Sequence, residues 1–171
     1  MSDFEADKKE LLADLDQSRA GLILLVEELR PEDFGQARRG SWSISKILDH
    51  VIHSERLYTQ LVSTFSGNPA SVQDAGQVAT AADASRALDG SREAFLNAVS
   101  NVTEDDFYRL QTIGHEEYSV LSILENNAAH DREHAEQIRK TVTATRTSGE
   151  NAANASGNAI RSGPWKRAHC G

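Results

Sequence analysis

Four stretches of the chain repeat apolar residues at the spacing of three to four that an α-helix produces. They cover about residues 3–30, 44–65, 80–101 and 120–143, and polar segments separate them. Each stretch has a single apolar stripe, which must be buried against other helices. Since 171 residues are enough to bury a sizeable core, the pattern predicts an all-α protein folded as one four-helix bundle.

The two halves of the chain also resemble each other. Residues Trp42–His50 at the start of the second predicted helix are similar to Tyr118–Asn126 at the start of the fourth, with an offset of 76 residues. A repeat of this kind indicates two helical hairpins. Pseudo-twofold packing of the hairpins would bring the second and fourth helices together.

Histidines lie on both of these helices. His130 and His134 are four residues apart, which places their rings on one helix face at about 6 Å between Cβ atoms. On the second helix, His50 lies at the edge of the apolar stripe, whereas His53 points away from it. Adjacent buried imidazoles cannot all be protonated cheaply and need partners for their ring nitrogens. A shared divalent metal would satisfy them, although the spacing alone also allows core histidines that are hydrogen-bonded to neighbours.

These segments resemble a known family. Trp42–His50, followed about eighty residues later by His130–Arg139, is similar to the DinB-like superfamily of metal-binding four-helix bundles, which includes bacterial thiol-dependent transferases and the maleylpyruvate isomerase type. The resemblance covers about residues 1–145. It implies that His50, His130 and His134 are the three ligands of a metal site.

A site with three neutral imidazoles leaves the metal with open positions, as catalytic sites do. Zn²⁺ and Ni²⁺ fit best, and Fe²⁺ or Mn²⁺ also bind imidazole. The resemblance implies a transferase that uses a low-molecular-weight thiol on a small electrophilic substrate. A hydrolase that activates water at the same metal and a non-catalytic, metal-binding or small-ligand-binding stress-response bundle are the alternatives.

Two carboxylates are candidates for a catalytic base or for a group that orients a ligand. Asp131 follows the first histidine of the fourth helix, and Glu55 falls near the centre of the apolar stripe on the second helix. Because an unpaired buried carboxylate is costly, Glu55 must pair with a buried polar group, or the helix is rotated from this indexing. A purely structural or surface role is the alternative for both residues.

Charge and hydropathy bear on partners and location. The net charge is −8 without a basic run, which argues against nucleic acid or an anionic membrane as a partner. The longest apolar run, Leu22–Val26, is far shorter than the ~18 residues of a membrane span, so we expect a cytoplasmic protein with a small-molecule substrate. Leu24 and Leu25 beside the main stripe of the first helix would suit a homodimer.

The remaining segments are polar. Helical periodicity ends near Thr143, and the Ala-, Ser- and Asn-rich segment 146–171 predicts a disordered tail, so the domain boundary is placed at residue 145. Gly67–Ala79 has the composition of a long connecting loop that could form the rim of a site. Cys170 lies in the tail, and we expect no role for its thiol.

Overall fold

The structure is a computed structural model that describes residues 3–67, 76 and 78–158, with side chains through Ser148. None of the described helices combines the length and the apolarity that crossing a membrane requires. The elements in chain order are α1 (Asp3–Glu27), a 3₁₀ turn (Pro31–Asp33), α2 (Ile44–Ser66), α3 (Ala81–Ser100), α4 (Glu104–Tyr108), β1 (Gln111–Ile113), β2 (Glu116–Tyr118) and α5 (Val120–Asn158).

Side-chain caps determine where two of the long helices begin. The Ser43 hydroxyl accepts a hydrogen bond from the Lys46 amide at 3.3 Å and starts α2. The Thr80 hydroxyl accepts one from the Asp83 amide at 3.1 Å and starts α3. Both caps satisfy amides that have no partner within the helix, and both confirm the predicted helix starts. Gly67 ends α2 with a φ of 68°, which glycine adopts without strain.

The predicted four-helix bundle is confirmed, with α1, α2, α3 and α5 as its members. The most extensive packing joins α1 to α5 and α2 to α3, and α2 also packs on α5. The two long helices within each half of the chain, α1 with α2 and α3 with α5, make few contacts with each other, so α1 lies diagonally from α2 and α3 lies diagonally from α5. Every side of the bundle is therefore formed between the two halves of the chain, and α2 meets α5 as the repeat predicts.

The core consists of two apolar clusters with polar groups buried between them. The upper core includes Leu22, Val26, Ile47, Leu48, Leu88 and Ile138, and the lower core includes Leu15, Val62, Phe95, Phe107 and Ile123. Along α2 the chain passes from the upper core to the lower core, and along α5 it passes in the opposite direction. These two helices are therefore antiparallel.

The segment between α3 and α5 is more ordered than its polar sequence predicts. Thr103 caps the short helix α4, and the buried Phe107 packs edge-on against Phe4 with ring centroids 5.2 Å apart. A two-stranded hairpin follows and turns at Gly114, where φ is 70°. Strands of three residues are too short to show an alternating pattern, which is why the sequence did not predict them.

Helix α5 continues to Asn158, well past the predicted end near Thr143. Extending an existing helix requires no new nucleus, and Arg146 ties this part of α5 to the buried carboxylate of Asp33 at 2.7 Å. Residues 159–171 and most of the predicted loop 67–79 lie outside the described residues. The disorder of the tail and the role of the loop as the rim of a site therefore stay predictions for these residues.

Candidate metal centre

The three predicted histidines meet between α2 and α5. His130 Nε2 lies 3.1 Å from His50 Nε2 and 3.1 Å from His134 Nε2. One nitrogen from each ring lies within 4.8 Å of the other two. His50, His130 and His134, the histidine cluster, thus converge through their Nε2 atoms although 80 residues separate the first from the second.

The spacing of these atoms fits a divalent ion. Zn–N bonds of about 2.0–2.1 Å in a tetrahedral site place two ligand nitrogens roughly 3.3 Å apart, which is close to the two 3.1 Å separations. Imidazole nitrogens are ligands that Zn²⁺, Ni²⁺ and Fe²⁺ accept. His134 is buried, with 7% of its surface exposed, while His50 and His130 are half-buried. The donor set therefore fits a metal that is held against the bundle and open on one side.

The electrostatic environment disfavours the charged form of two of these rings, His50 and His130. Burial, followed by the neighbouring His134, His50 and Arg19, lowers the pKa of His130 from 6.5 to about 4. Burial and the nearby His134 and His53 also lower the pKa of His50, and the opposing effect of Glu133 is smaller. Neutral imidazole is the form that binds a metal. At neutral pH His50 and His130 are thus in the form that a metal requires.

One histidine has a hydrogen bond on its far side. His134 Nδ1 lies 2.7 Å from Gln137 Oε1, a contact in which the ring is the donor when its proton is on Nδ1. Gln137 is one turn further along α5. Histidine ligands in metal sites almost always make such a bond, and the sequence reasoning had overlooked this residue.

An open cleft leads from solvent to the cluster. It has a volume of about 500 Å³, and the three histidines line it together with Trp42, Glu133, Gln137, Gly40 and Ser41. Trp42 stands edge-on to His50 with centroids 5.0 Å apart and is 40% exposed. Trp42 therefore packs on His50 and forms part of the wall of the cleft.

A second cleft of about 630 Å³ adjoins the first and shares Trp42 and His50 with it. Its wall also carries Lys46, His53 and Arg56, and Asp49 is the one acidic residue among the described residues that line it. The Lys46 ammonium group lies over the Trp42 ring, 5.5 Å from its centroid. His53 is exposed and outside the histidine cluster, as its position on the helix predicts.

Glu55 and Asp131 belong to a different constellation. They form the buried ion network with Arg19 of α1 and Arg92 of α3, and all four residues are at most 6% exposed. Glu55 accepts from Arg19 at 2.9 Å and from Arg92 at 2.6 Å. Asp131 accepts from both arginines at 2.9 Å. Glu55 therefore has the buried partners that its position required.

The same arginines bind the backbone on either side of the network. Arg19 donates to the Leu88 carbonyl at 2.7 Å, and Arg92 donates to the Leu15 carbonyl at 2.8 Å. Burial alone would raise the pKa of Glu55, but the two guanidinium groups hold it below its usual value. The network thus stays ionised and joins all four long helices between the two cores. A catalytic role for Glu55 or Asp131 stays a prediction.

Two polar residues lie between the network and the histidine cluster. Asn127 is buried and donates to Glu55 at 3.2 Å, while its Oδ1 has no hydrogen-bond partner among the described residues. Tyr58 stands edge-on to His130 with centroids 6.3 Å apart. Burial raises the pKa of Tyr58, so its hydroxyl keeps its proton at neutral pH.

The fold and the site together define a class: four-helix bundles in which two antiparallel helices bring three histidines to an open cleft. The chain belongs to the DinB superfamily, since the sequence pattern of that family matches residues 14–138. Among curated proteins, no sequence matches the chain. The family resemblance seen in the sequence is thus confirmed.

Two solved structures share the fold. A DinB-like protein from Bacillus subtilis superposes with a TM-score of 0.60 at 13% identity, over 80% of this chain and 92% of that one. An uncharacterised protein from Escherichia coli UTI89 gives a TM-score of 0.59 at 15% identity, over 81% of this chain and 94% of that one. At such identities the likeness concerns the fold.

Proposed function

We propose that the protein binds a divalent metal through His50, His130 and His134 and transfers a low-molecular-weight thiol to a small electrophilic substrate. The observation that supports this most strongly is the convergence of three Nε2 atoms, two pairs of them 3.1 Å apart, at the end of an open cleft. The chain also belongs to the DinB superfamily, and the family resemblance implies that these three histidines are metal ligands.

A bound divalent ion would act as a Lewis acid that lowers the pKa of a thiol or of water brought to it. The chain's own contribution is to hold three imidazole donors in place. His134 is fixed by Gln137, and α2 and α5 are fixed to each other by the ion network.

The adjoining cleft suits a substrate or thiol that carries negative charge. Lys46 and Arg56 line it, with Asp49 as the one acidic residue among its described lining, and the exposed part of Trp42 offers an apolar surface between the two clefts. Anionic groups gain from such a surplus of cationic groups. We therefore expect a carboxylate or phosphate on one of the two reactants.

Glu133 is better placed than Glu55 or Asp131 to accept a proton from a reactant. It is exposed and lines the cleft with the histidines, whereas the other two carboxylates are fully engaged by arginines. We expect Glu133→Gln to slow turnover with little change in metal affinity. Since thiols stay reduced in the cytosol, the proposed reaction would take place there.

Metal binding is tested by melting curves in chelator and in excess Zn²⁺ or Ni²⁺. A ligand that binds only the native state at 100 times its Kd stabilises it by about 2.7 kcal/mol, so the wild type should melt higher with metal. His50→Ala, His130→Ala and His134→Ala should each abolish this shift. The matched control is His53→Ala, on the same helix and exposed; a loss of the shift in this variant, with retention in His50→Ala, would contradict the ligand set.

The reaction is tested with metal-loaded protein, cysteine as the thiol and 1-chloro-2,4-dinitrobenzene as the electrophile. Sulfur displaces chloride in this reaction, and the product absorbs light. A rate above background that His130→Ala removes supports the transferase. Hydrolysis of 4-nitrophenyl acetate without thiol transfer would favour the hydrolase instead, and no turnover in either assay would favour a bundle that only binds metal.

A further inference from the structure

Gln137 is the one residue that the structure places against the outer nitrogen of a clustered histidine, among the hydrogen bonds of the described side chains. Its Oε1 lies 2.7 Å from His134 Nδ1. It also lines the same cleft as the histidines, and its backbone carbonyl accepts from Thr141 at 2.9 Å, so its position on α5 is fixed. The contact involves Nδ1 of His134, whose other nitrogen, Nε2, faces the cluster.

We propose that Gln137 is a positioning residue that holds His134 in the tautomer with the proton on Nδ1, so that the Nε2 lone pair is available to a metal. The inference rests on the proposed metal-binding function and assigns to Gln137 a role in it. An oxygen acceptor on one side of a neutral imidazole requires the proton on that side. The other nitrogen is then a base.

The need for such a residue follows from the distances within the cluster. His130 Nε2 lies 3.1 Å from the Nε2 atoms of both His50 and His134. Without a metal, each of these pairs is most stable as a hydrogen bond, in which one of the two nitrogens carries a proton and the other accepts it. A proton on His134 Nε2 would satisfy one pair but would block the lone pair. Gln137 excludes this arrangement, so one ligand is ready before the metal arrives.

The first arm of the test is metal-free. Protein labelled with ¹⁵N-histidine, in chelator at a pH where the rings are neutral, reports each tautomer in long-range ¹H–¹⁵N spectra. Wild-type His134 should carry its proton on Nδ1, and Gln137→Leu should shift His134 toward the Nε2–H form. Gln137→Glu offers only acceptor oxygens and should restore the Nδ1–H form, which a residue needed only for packing would not do.

The second arm is a Zn²⁺ titration of the same variants. Loss of a group that orients a ligand costs about 10–100-fold in metal affinity, so we expect this loss in Gln137→Leu and near wild-type or tighter binding in Gln137→Glu. Gln60→Leu, the same change at an exposed position of α2, is the control and should bind as the wild type does.

The outcomes separate the two proposals. An Nε2–H tautomer at His134 in the metal-free wild type, or unchanged zinc affinity in Gln137→Leu, would overturn the role of Gln137. If the wild type does not bind Zn²⁺ at all, the proposed metal function fails, and the tautomers of the metal-free variants then decide the role of Gln137 alone.

Discussion

The histidine cluster and the buried ion network lie side by side between α2 and α5, yet they are completed in different ways. In the network, two guanidinium groups face two carboxylates, and Glu55 and Asp131 each accept from both arginines. In the cluster, three like nitrogens face one another. Buried charges that all have partners of opposite sign hold the helices together. Three electron-pair donors that face one another are instead suited to bind a metal ion.

The pKa values of the two regions express the same contrast. In the network, arginine charges overcome the effect of burial and lower the pKa of Glu55, so the charged form is stabilised. In the cluster, burial and the neighbouring rings lower the pKa of His130 to about 4, so the charged form is disfavoured. The cluster is therefore the region whose stability should depend on pH near neutrality.

The largest effect is expected from opening the network. Arg92→Met removes donors from Glu55 and Asp131 and leaves an uncompensated buried charge, which costs about 3–5 kcal/mol. Denaturant unfolding in chelator measures the loss. Arg132→Met, which breaks the half-exposed pair with Asp14 at 2.8 Å, is the control and should cost at most about 1 kcal/mol. Equal losses of stability in both variants would mean that the buried ion network contributes no more to stability than an exposed ion pair does.

A smaller effect is expected from pH. The lowered pKa of His130 means that the unfolded chain binds a proton below about pH 6.5 while the metal-free folded protein does not, so stability present above that pH is lost as the pH falls toward 4. Between pH 7 and pH 5 we expect a loss of about 1 kcal/mol, discounted for the partly exposed ring.

The variant His130→Gln isolates this contribution. Glu55, with its lowered pKa, stays ionised over the same pH interval and should contribute no slope. Stability curves in chelator that slope equally in the wild type and in His130→Gln would show that the dependence comes from elsewhere.

A change of opposite sign is expected from removing one clustered imidazole in the absence of metal. His130→Leu replaces a polar ring that lacks a closed set of partners by an apolar side chain, and it should raise the free energy of unfolding in chelator by up to about 1 kcal/mol. Glu55→Leu, the corresponding change in the network, should lower it. A loss of stability in both variants would indicate that the cluster is as complete without metal as the network is.

The smallest effect is expected from the end of the chain. Truncation after Thr147 keeps both regions and the Arg146–Asp33 pair, so the melting temperature and the metal content should change little, by less than about 0.5 kcal/mol in stability. A large loss would mean that residues beyond 147 contribute to the core, and the boundary at 145 would be placed too early.

The sequence predicted the long helices and the pairing of His130 with His134 because both depend on short-range periodicity. It did not predict Arg19 and Arg92, although each lies within the apolar stripe of its helix, between Leu15 and Leu22 and between Leu88 and Phe95. A charged residue in a stripe indicates a buried partner, as the position of Glu55 did. Which cation meets which carboxylate depends on how four helices are arranged, and this arrangement is not a local property.

The contact between Gln137 and His134 could have been predicted, since residues three apart on a helix are neighbours. The hairpin between α4 and α5 could not, because two strands of three residues leave no periodic signal. The convergence of His50 with the other two histidines was inferred from the repeat and the family resemblance, and the structure shows it directly.

The diagonal placement of the two long helices within each half of the chain has a consequence for how the chain folds. Helical bundles usually fold through contacts between residues that are near in sequence, but here Arg19 meets Asp131 across 112 residues and His50 meets His130 across 80. Neither half of the chain contains a complete network or cluster. A nascent chain therefore has no three-histidine cluster until α5 has been synthesised and has docked, and metal capture would mark the end of folding.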